Sequence, residues 1–215
     1  MKKHDLPGLF IVFEGIDGSG KTTQIKKVEE FLINKDLSVT RLYEPTHGEY
    51  GKKLRDLFSK GHVIPIEEEI ELSVKDRTID VEQNILPALK EGKIVLLDRY
   101  YWSNVAYQGI VDENYSMEYI LEKSRNFPTP DILFYFDIEV EDSIQRISSK
   151  RKPNEYESFN ELTKSKHKYN ELIENIPNSF SGAFITINAG KPEDEVFFQL
   201  TENIMEFLSN QHYIH

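Results

Sequence analysis

At 215 residues, with 39% hydrophobic and 29% charged content, the chain suits one globular domain, with or without a lid, around a sizeable core. A formal net charge of −11 argues against a general nucleic-acid surface, which needs a basic stripe, but not against a small site built from a few convergent cations. No apolar run nears the roughly 20 residues that span a bilayer, the N-terminal run before Glu14 is too short for a signal peptide, and the lack of cysteine excludes disulfides and Cys-ligated zinc, all compatible with a cytoplasmic setting.

The first apolar run, Leu9–Phe13, reads as a buried strand, and the stretch from Lys21 to Ile33 as a helix. Between them Gly15-Ile16-Asp17-Gly18-Ser19-Gly20-Lys21-Thr22 fits G-x-x-x-x-G-K-[ST], in the strand–loop–helix context that a phosphate-binding loop requires. Its glycines let backbone N–H groups turn inward around an anion, and the helix N-terminus adds partial positive charge. Lys21 is expected to reach the outer phosphates of a nucleoside triphosphate, and Thr22 to offer its hydroxyl to Mg²⁺.

Further β-rich runs follow at Ser38–Tyr43, Ile94–Leu97, Ile132–Phe136 and Ala183–Ile187, with helical spacing between them. Leu54, Leu57 and Phe58 form one apolar helix face, Ile144 and Ile147 another, and Leu162, Tyr169, Leu172 and Ile173 a third. This alternation predicts an α/β fold: a five-stranded parallel sheet with helices on both faces and a ligand crevice at the carboxyl ends of the strands. Glu67-Glu68-Glu69-Ile70-Glu71 reads as a solvated acidic helix start, and Pro87 and Pro128-Thr129-Pro130 read as breakers. Residues 148–157 are a polar, basic break between two helices, either a surface loop or a mobile lid over phosphates. Near the C-terminus His212 and His215 have metal-compatible spacing, but a solvated tail is the plainer reading.

Directly after the third strand comes Asp98-Arg99-Tyr100-Tyr101-Trp102-Ser103-Asn104-Val105-Ala106-Tyr107-Gln108-Gly109. An acid at a strand end beside a phosphate loop can hold Mg²⁺ through water, and Arg99 offers a planar fork to a phosphate; taken alone, the two could equally be an ion pair. The Ser, Asn, Tyr and Gln that follow supply donors and acceptors for a base and a sugar.

With this segment the chain resembles the thymidylate kinases, a family of P-loop nucleoside monophosphate kinases. Glu14 through Thr23 match E-G-x-D-G-x-G-K-T-T, Glu44-Pro45-Thr46 match the motif after the second strand with Gly51 and Arg55 in step, Asp76-Arg77 match the D-R of a middle helix, and Asp98 to Gln108 match D-R-Y…S-x-x-A-Y-Q. The order holds over roughly residues 9–160. The resemblance implies a three-layer α/β/α P-loop NTPase domain with a short lid at about residues 146–157. It implies transfer of the γ-phosphate of MgATP to dTMP, giving dTDP for dTTP synthesis, by a cytoplasmic homodimer. ATP would be held by Gly15 through Thr23, Arg146 and Ala189, and Mg²⁺ by Thr22 and Asp98. Asn188-Ala189-Gly190 stands where relatives wrap adenine, although a plain strand-to-helix turn reads nearly as well. On the acceptor side, Asp17 would accept from the 3′-hydroxyl, Arg99 clamp the monophosphate, Arg77 lie near the pyrimidine O4, Asn104 read N3, Tyr107 crowd the 2′ position and Gln108 stand near the base. Glu44, Arg55 and Ser73 complete that site.

The loop's variable positions, Ile16, Gly18 and Ser19, carry no base, so the family's catalytic arginine is expected from the lid, with Arg151 preferred over Arg146 and with Lys150 and Lys152 beside them. Lys21, Asp98, Arg99 and Arg151 are thus the expected catalytic set. Ser73 stands where relatives place a Phe that stacks on thymine. Either Tyr101, Trp102 or Tyr107 covers the base instead, or the pocket is looser and admits other pyrimidines; the second is favoured because those rings follow the clamp and face the sugar. Three rival readings are a kinase of another pyrimidine nucleotide or deoxynucleoside, a P-loop switch, and a non-catalytic nucleotide-binding regulator. Deoxynucleoside kinases carry Glu-Arg where this chain has Asp98-Arg99, and Asn34-Lys35-Asp36-Leu37 has the wrong spacing for a GTPase base reader.

Overall fold

The three inner strands are apolar on both faces because helices cover both, the pattern of a buried parallel sheet. The computed structural model describes residues 2–59, 64–109, 116–154 and 157–210. The tail histidines, His212 and His215, and residues 155 and 156 of the expected lid lie outside them. The chain order is β1 (Lys2–Lys3), β2 (Leu9–Glu14), α1 (Lys21–Ile33), β3 (Val39–Tyr43), α2 (Glu49–Phe58), α3 (Ile66–Asp80), a π-helical turn (Val81–Ile85) and α4 (Leu86–Lys90). It continues with β4 (Ile94–Asp98), α5 (Tyr101–Tyr107), α6 (Met117–Lys123), β5 (Pro128–Thr129), β6 (Ile132–Asp137), α7 (Val140–Ser148), α8 (Phe159–Ser179), β7 (Ala183–Asn188) and α9 (Glu193–Asn210).

The five-stranded sheet runs β3-β4-β2-β6-β7, all parallel, with β1 and β5 pairing apart from it. Strand order therefore changes direction at β2: the chain goes out to the edge strand β3 and back to β4 on one side, then outward to β6 and β7 on the other. The loop after β2 leaves at that switch point, where ligands of open α/β sheets bind. Register sets Phe13 and Tyr43 level with Asp98, so the phosphate loop, the Glu44-Pro45-Thr46 loop and Asp98-Arg99 emerge along one edge.

The core beneath that edge is aromatic. Phe13 stacks on Phe134 at 5.5 Å between ring centres and also meets Phe136. Truncating such a ring costs about 3–5 kcal/mol. Two local expectations are corrected. Glu69, read as part of a solvated acidic face, is fully buried, because the α3 face that carries Ser73, Asp76 and Asp80 turns inward and takes Glu69 with it. Pro87 does not break its helix: it falls at the first turn of α4, where the missing N–H is least needed, and the π turn before it absorbs the misfit.

Candidate active site

The phosphate loop depends on close approach as well as on turn geometry. Gly18 has φ 75°, and a Cβ there would stand 2.6 Å from Ser143 O. Ser143 in turn donates its hydroxyl to Asp17 O at 2.5 Å, fastening α7 to the loop. Lys21 Nζ is buried in the floor of the loop and donates to Gly15 O (2.8 Å), Ile16 O (2.9 Å) and Ser19 Oγ (3.3 Å). Burial, with the Arg99 charge behind it, pushes the ammonium down to about 8. Thr22 Oγ1 donates to Asp98 Oδ2 at 2.6 Å, bringing the two expected metal ligands together.

Beside the loop, Arg99 adopts a left-handed backbone (φ 70°), rare for a non-glycine residue and costing about 1–3 kcal/mol. Its amide donates to Phe13 O, and its guanidinium to Asp17 Oδ1 (2.6 Å), Ser103 Oγ (3.1 Å) and Tyr107 OH (3.3 Å). Burial opposes the charge of Asp17, but Arg99 and then Lys21 outweigh it and hold the carboxyl below its usual range. Tyr107 OH also accepts from Asp17 N at 3.2 Å, so the tyrosine ties α5 to the phosphate loop. Glu14 fixes this corner from below: its buried carboxylate accepts from Tyr100 N, from Ser103 N and Oγ, and from Tyr169 OH. That supporting role was not assigned from sequence, although Glu14 opens the matched Glu14–Thr23 motif.

A second group holds the Glu44-Pro45-Thr46 loop, whose Glu44–Pro45 peptide is cis. Arg55 Nη1 donates to Pro45 O at 2.7 Å and to Thr46 O, while Asp76 accepts from Thr46 N (2.8 Å) and Oγ1 (2.6 Å). Gly51 admits no side chain, since a Cβ would meet Thr46 O at 2.1 Å. Arg77 pairs with Glu44 Oε2 (2.6 Å), both side chains almost wholly buried, and its guanidinium lies over the Tyr100 ring. Burial pushes the Glu44 carboxyl up, with Arg77 pulling against it. Among the described residues Arg77 Nη1 has no acceptor. On α5, Asn104 Nδ2 donates to Gln108 Oε1 at 3.3 Å.

These groups line two adjoining cavities. The larger, about 940 Å³, is floored by Asp17 through Thr23 and reaches Asp98, Arg146, Lys150 and Ala189. Gly15 and Ile16 do not line it; their part is to hold Lys21. The smaller, about 420 Å³, gathers Arg55, Ser73, Arg77, Asn104, Tyr107 and Gln108, together with Leu54 and Phe58. Asp17, Glu44, Arg99, Arg151 and Glu157 face both.

Arg146 is not in the lid but in the last turn of α7, where it donates to Ala189 O (2.9 Å) and Ser19 O (3.4 Å) and braces the larger cavity. Arg151 lies beyond the helix, doubly bonded to Glu157, which is buried and also accepts from Asn154 N at 2.8 Å. Sequence reading did not single out Glu157. Tyr101 and Trp102, offered as covers for the base, are buried in the core and line neither cavity, whereas Phe58 does line the smaller one.

Residues 13–199 match the family described as thymidylate kinase. The chain is 40% identical over 205 residues to the thymidylate kinase of Desulfotalea psychrophila, covering 94% of this chain and 96% of the relative. It is 41% identical over 169 residues to that of Leptospira interrogans (77% and 81% of the two chains), and 36% identical over 202 residues to a probable thymidylate kinase of Archaeoglobus fulgidus (94% and 97%). With motifs, sheet order and match all spanning most of its length, the chain belongs to the thymidylate kinase family.

Proposed function

We propose that the protein transfers the γ-phosphoryl group of MgATP to the phosphate of dTMP, giving ADP and dTDP and so supplying dTTP synthesis. The observation that carries this reading is the common wall of the two cavities: the loop that takes a triphosphate and the pocket that takes the acceptor meet at Asp17, Arg99 and Arg151. An acceptor phosphate oxygen attacks the γ-phosphorus in line, the bond to the β–γ bridging oxygen breaks, and ADP leaves. No covalent enzyme intermediate is needed.

Arg99 positions the acceptor phosphate, aimed by Asp17 and Ser103, and Lys21 neutralises the β- and γ-oxygens. Arg151 meets the equatorial oxygens of the moving group, and the segment around it, to residue 157, closes as a lid that keeps water from competing as acceptor. Thr22 Oγ1 and Asp98 Oδ2 are hard oxygen donors of the kind Mg²⁺ takes beside substrate phosphates, and they would hold it; when bound, the ion supplies further charge neutralisation. Arg146 and Ala189 stand at the adenine end.

For the base, Arg77 Nη1 is a donor suited to O4, and Asn104, whose amide nitrogen is engaged by Gln108, offers its oxygen to N3–H. Cytosine would present an amino group to the arginine and no N3–H, so the pair selects thymine and uracil. The Tyr107 ring, fixed through its hydroxyl, crowds a 2′-hydroxyl, and Asp17 faces the 3′-hydroxyl. A homodimer working in the cytoplasm is proposed on the family resemblance, and sedimentation velocity tests the dimer. Among the described residues no helix is long and apolar enough to cross a membrane. The transfer itself is tested with ATP radiolabelled at its γ-phosphate, Mg²⁺ and dTMP: label is expected in dTDP, and label only in inorganic phosphate would overturn the reading.

A further inference from the structure

The direction of the Arg99 guanidinium rests on its bonds to Asp17, Ser103 and Tyr107, and of these Ser103 is braced from the protein interior. Ser103 donates its hydroxyl to Glu14 Oε2 at 2.7 Å. The Tyr169 hydroxyl stands 2.7 Å from the same carboxylate oxygen and 3.0 Å from Ser103 Oγ. With the Ser103 proton committed to Glu14, its lone pairs are left for the Arg99 guanidinium. Glu14 Oε1 accepts from Tyr100 N and Ser103 N, so the carboxylate is fixed at both oxygens. Tyr169 is 2% exposed, and neither it nor Glu14 lines either cavity, so neither is placed to touch a substrate. Tyr169 comes from the buried face of α8, with Leu162, Ser165 and Leu172, and its ring packs on Tyr135 of β6 at 5.4 Å between centres. That helix starts two residues after Glu157, the partner of Arg151, so supports of both arginines lie on one stretch of chain.

We propose that Tyr169 is a positioning residue for the acceptor clamp: its hydroxyl fixes the Glu14–Ser103 pair, and that pair sets the line along which Arg99 meets the acceptor phosphate. This rests on the reading of Arg99 as the clamp and deepens it, because the added support comes from α8 and reaches substrate only through other side chains. Burial opposes the charge on Glu14, so a donor lost from its carboxylate is felt by the partners that remain. Of those partners Ser103 is the one that also meets Arg99.

The test is steady-state kinetics of the full chain with dTMP at saturating MgATP, beside calorimetric titration with ATP. Tyr169→Phe keeps the ring and its packing on Tyr135 and removes only the hydroxyl. It is expected to lower kcat/KM for dTMP about five-fold, while the affinity for ATP stays as it was. On an Arg99→Ala background, read from the initial slope in dTMP, the same change should add no further loss, because the group through which Tyr169 acts is gone. Ser103→Ala leaves α8 untouched and should lower kcat/KM for dTMP at least as far, with little added by Tyr169→Phe. Undiminished kcat/KM in Tyr169→Phe overturns the proposal and leaves the clamp standing. An equal loss with and without Arg99, or a matching loss of ATP affinity, also overturns it, because the hydroxyl would then act on the site as a whole. A Tyr169→Phe chain without the circular dichroism of the folded protein overturns it too, since the hydroxyl would then hold the fold. A wild-type chain that leaves dTMP unphosphorylated removes the acceptor reading, and this proposal with it.

Discussion

Replacing Arg151 with Ala separates a transition-state contact from a structural one. The Arg151 side chain is 57% exposed, so its ion pair with Glu157 adds at most about 1 kcal/mol to the fold. Glu157, by contrast, is 3% exposed and keeps Asn154 N as its remaining donor once the guanidinium is gone. The catalytic loss is separate from both effects: one fixed charge removed from developing phosphoryl charge costs about 2.7–4 kcal/mol, or 10²–10³ in kcat. KM for ATP and for dTMP should each move by less than about three-fold, since the contact forms mainly in the transition state. Steady-state ADP release across both substrate concentrations reads the split. Arg151→Ala/Glu157→Gln removes the stranded carboxylate, so a defect that persists in the double variant belongs to the lost guanidinium and not to a disturbed loop. Arg151→Lys should recover only part of kcat, because an ammonium cannot make the two-pronged bond to Glu157. A near-normal kcat in Arg151→Ala would refute the assignment. Activity lost instead in Lys150→Ala would move the role by one residue, and silence in Lys150→Ala and Lys152→Ala as well would remove the lid from the mechanism.

Lys21→Ala should abolish transfer, at a cost of about 3 kcal/mol or more in the transition state, with the circular dichroism of the folded chain unchanged; near-normal turnover would sink the phosphate-loop assignment. Arg99→Ala should strongly weaken dTMP while barely changing ATP, because its guanidinium, although on the common wall, is held by Ser103 and Tyr107, which line only the acceptor cavity, and calorimetry showing the reverse would mean the two sites are exchanged. The charged form of Lys21 is the one that binds phosphate, and in the free protein it deprotonates near 8 against 10.5 for an ordinary lysine, so kcat/KM for ATP should be flat below pH 8 and fall above it. ATP restores that charge, so binding at pH 8–9 should take up protons, seen as a buffer-dependent binding enthalpy; between 8 and 10.5 the unfolded chain holds the extra proton, so this residue's share of stability rises with pH there, and below 8 it is a constant cost.

Much of the fold was legible because the sheet is covered on both faces. Its five strands read as short apolar runs, each placed to within a residue at either end, and the phosphate loop is a contiguous motif. Asp98 and Arg99 were legible for the same reason: they follow a strand directly, and parallel register brings them to the loop. What escaped depends on which way a side chain turns. Tyr101 and Trp102 sit in the same short helix as Asn104 and Tyr107, yet face the core, and a seven-residue helix shows too little periodicity to tell the faces apart. Phe58 read as one more apolar residue of α2, since nothing local indicates that the helix ends over a cavity. Glu14 takes its partner Tyr169 from 155 positions away, and Glu69 is buried where its neighbours in the acidic run are exposed, so neither role has a local signature. Glu157 is only six residues from Arg151, but nothing in the sequence of its segment indicates that it lines both cavities.

Whether the two cavities form one reaction site with a thymine-reading acceptor pocket is tested most directly by a panel of nucleoside monophosphates assayed with MgATP. Separate reactions with dTMP, dUMP, dCMP, UMP, AMP and GMP would be followed by ADP release and by chromatography of the diphosphate formed. The highest kcat/KM is expected for dTMP, with lower but measurable turnover of dUMP and very poor turnover of dCMP and UMP, which fail at Arg77 with Asn104 and at Tyr107 respectively. Folded protein that leaves dTMP unphosphorylated, or that prefers a purine or cytosine nucleotide, would contradict this reading.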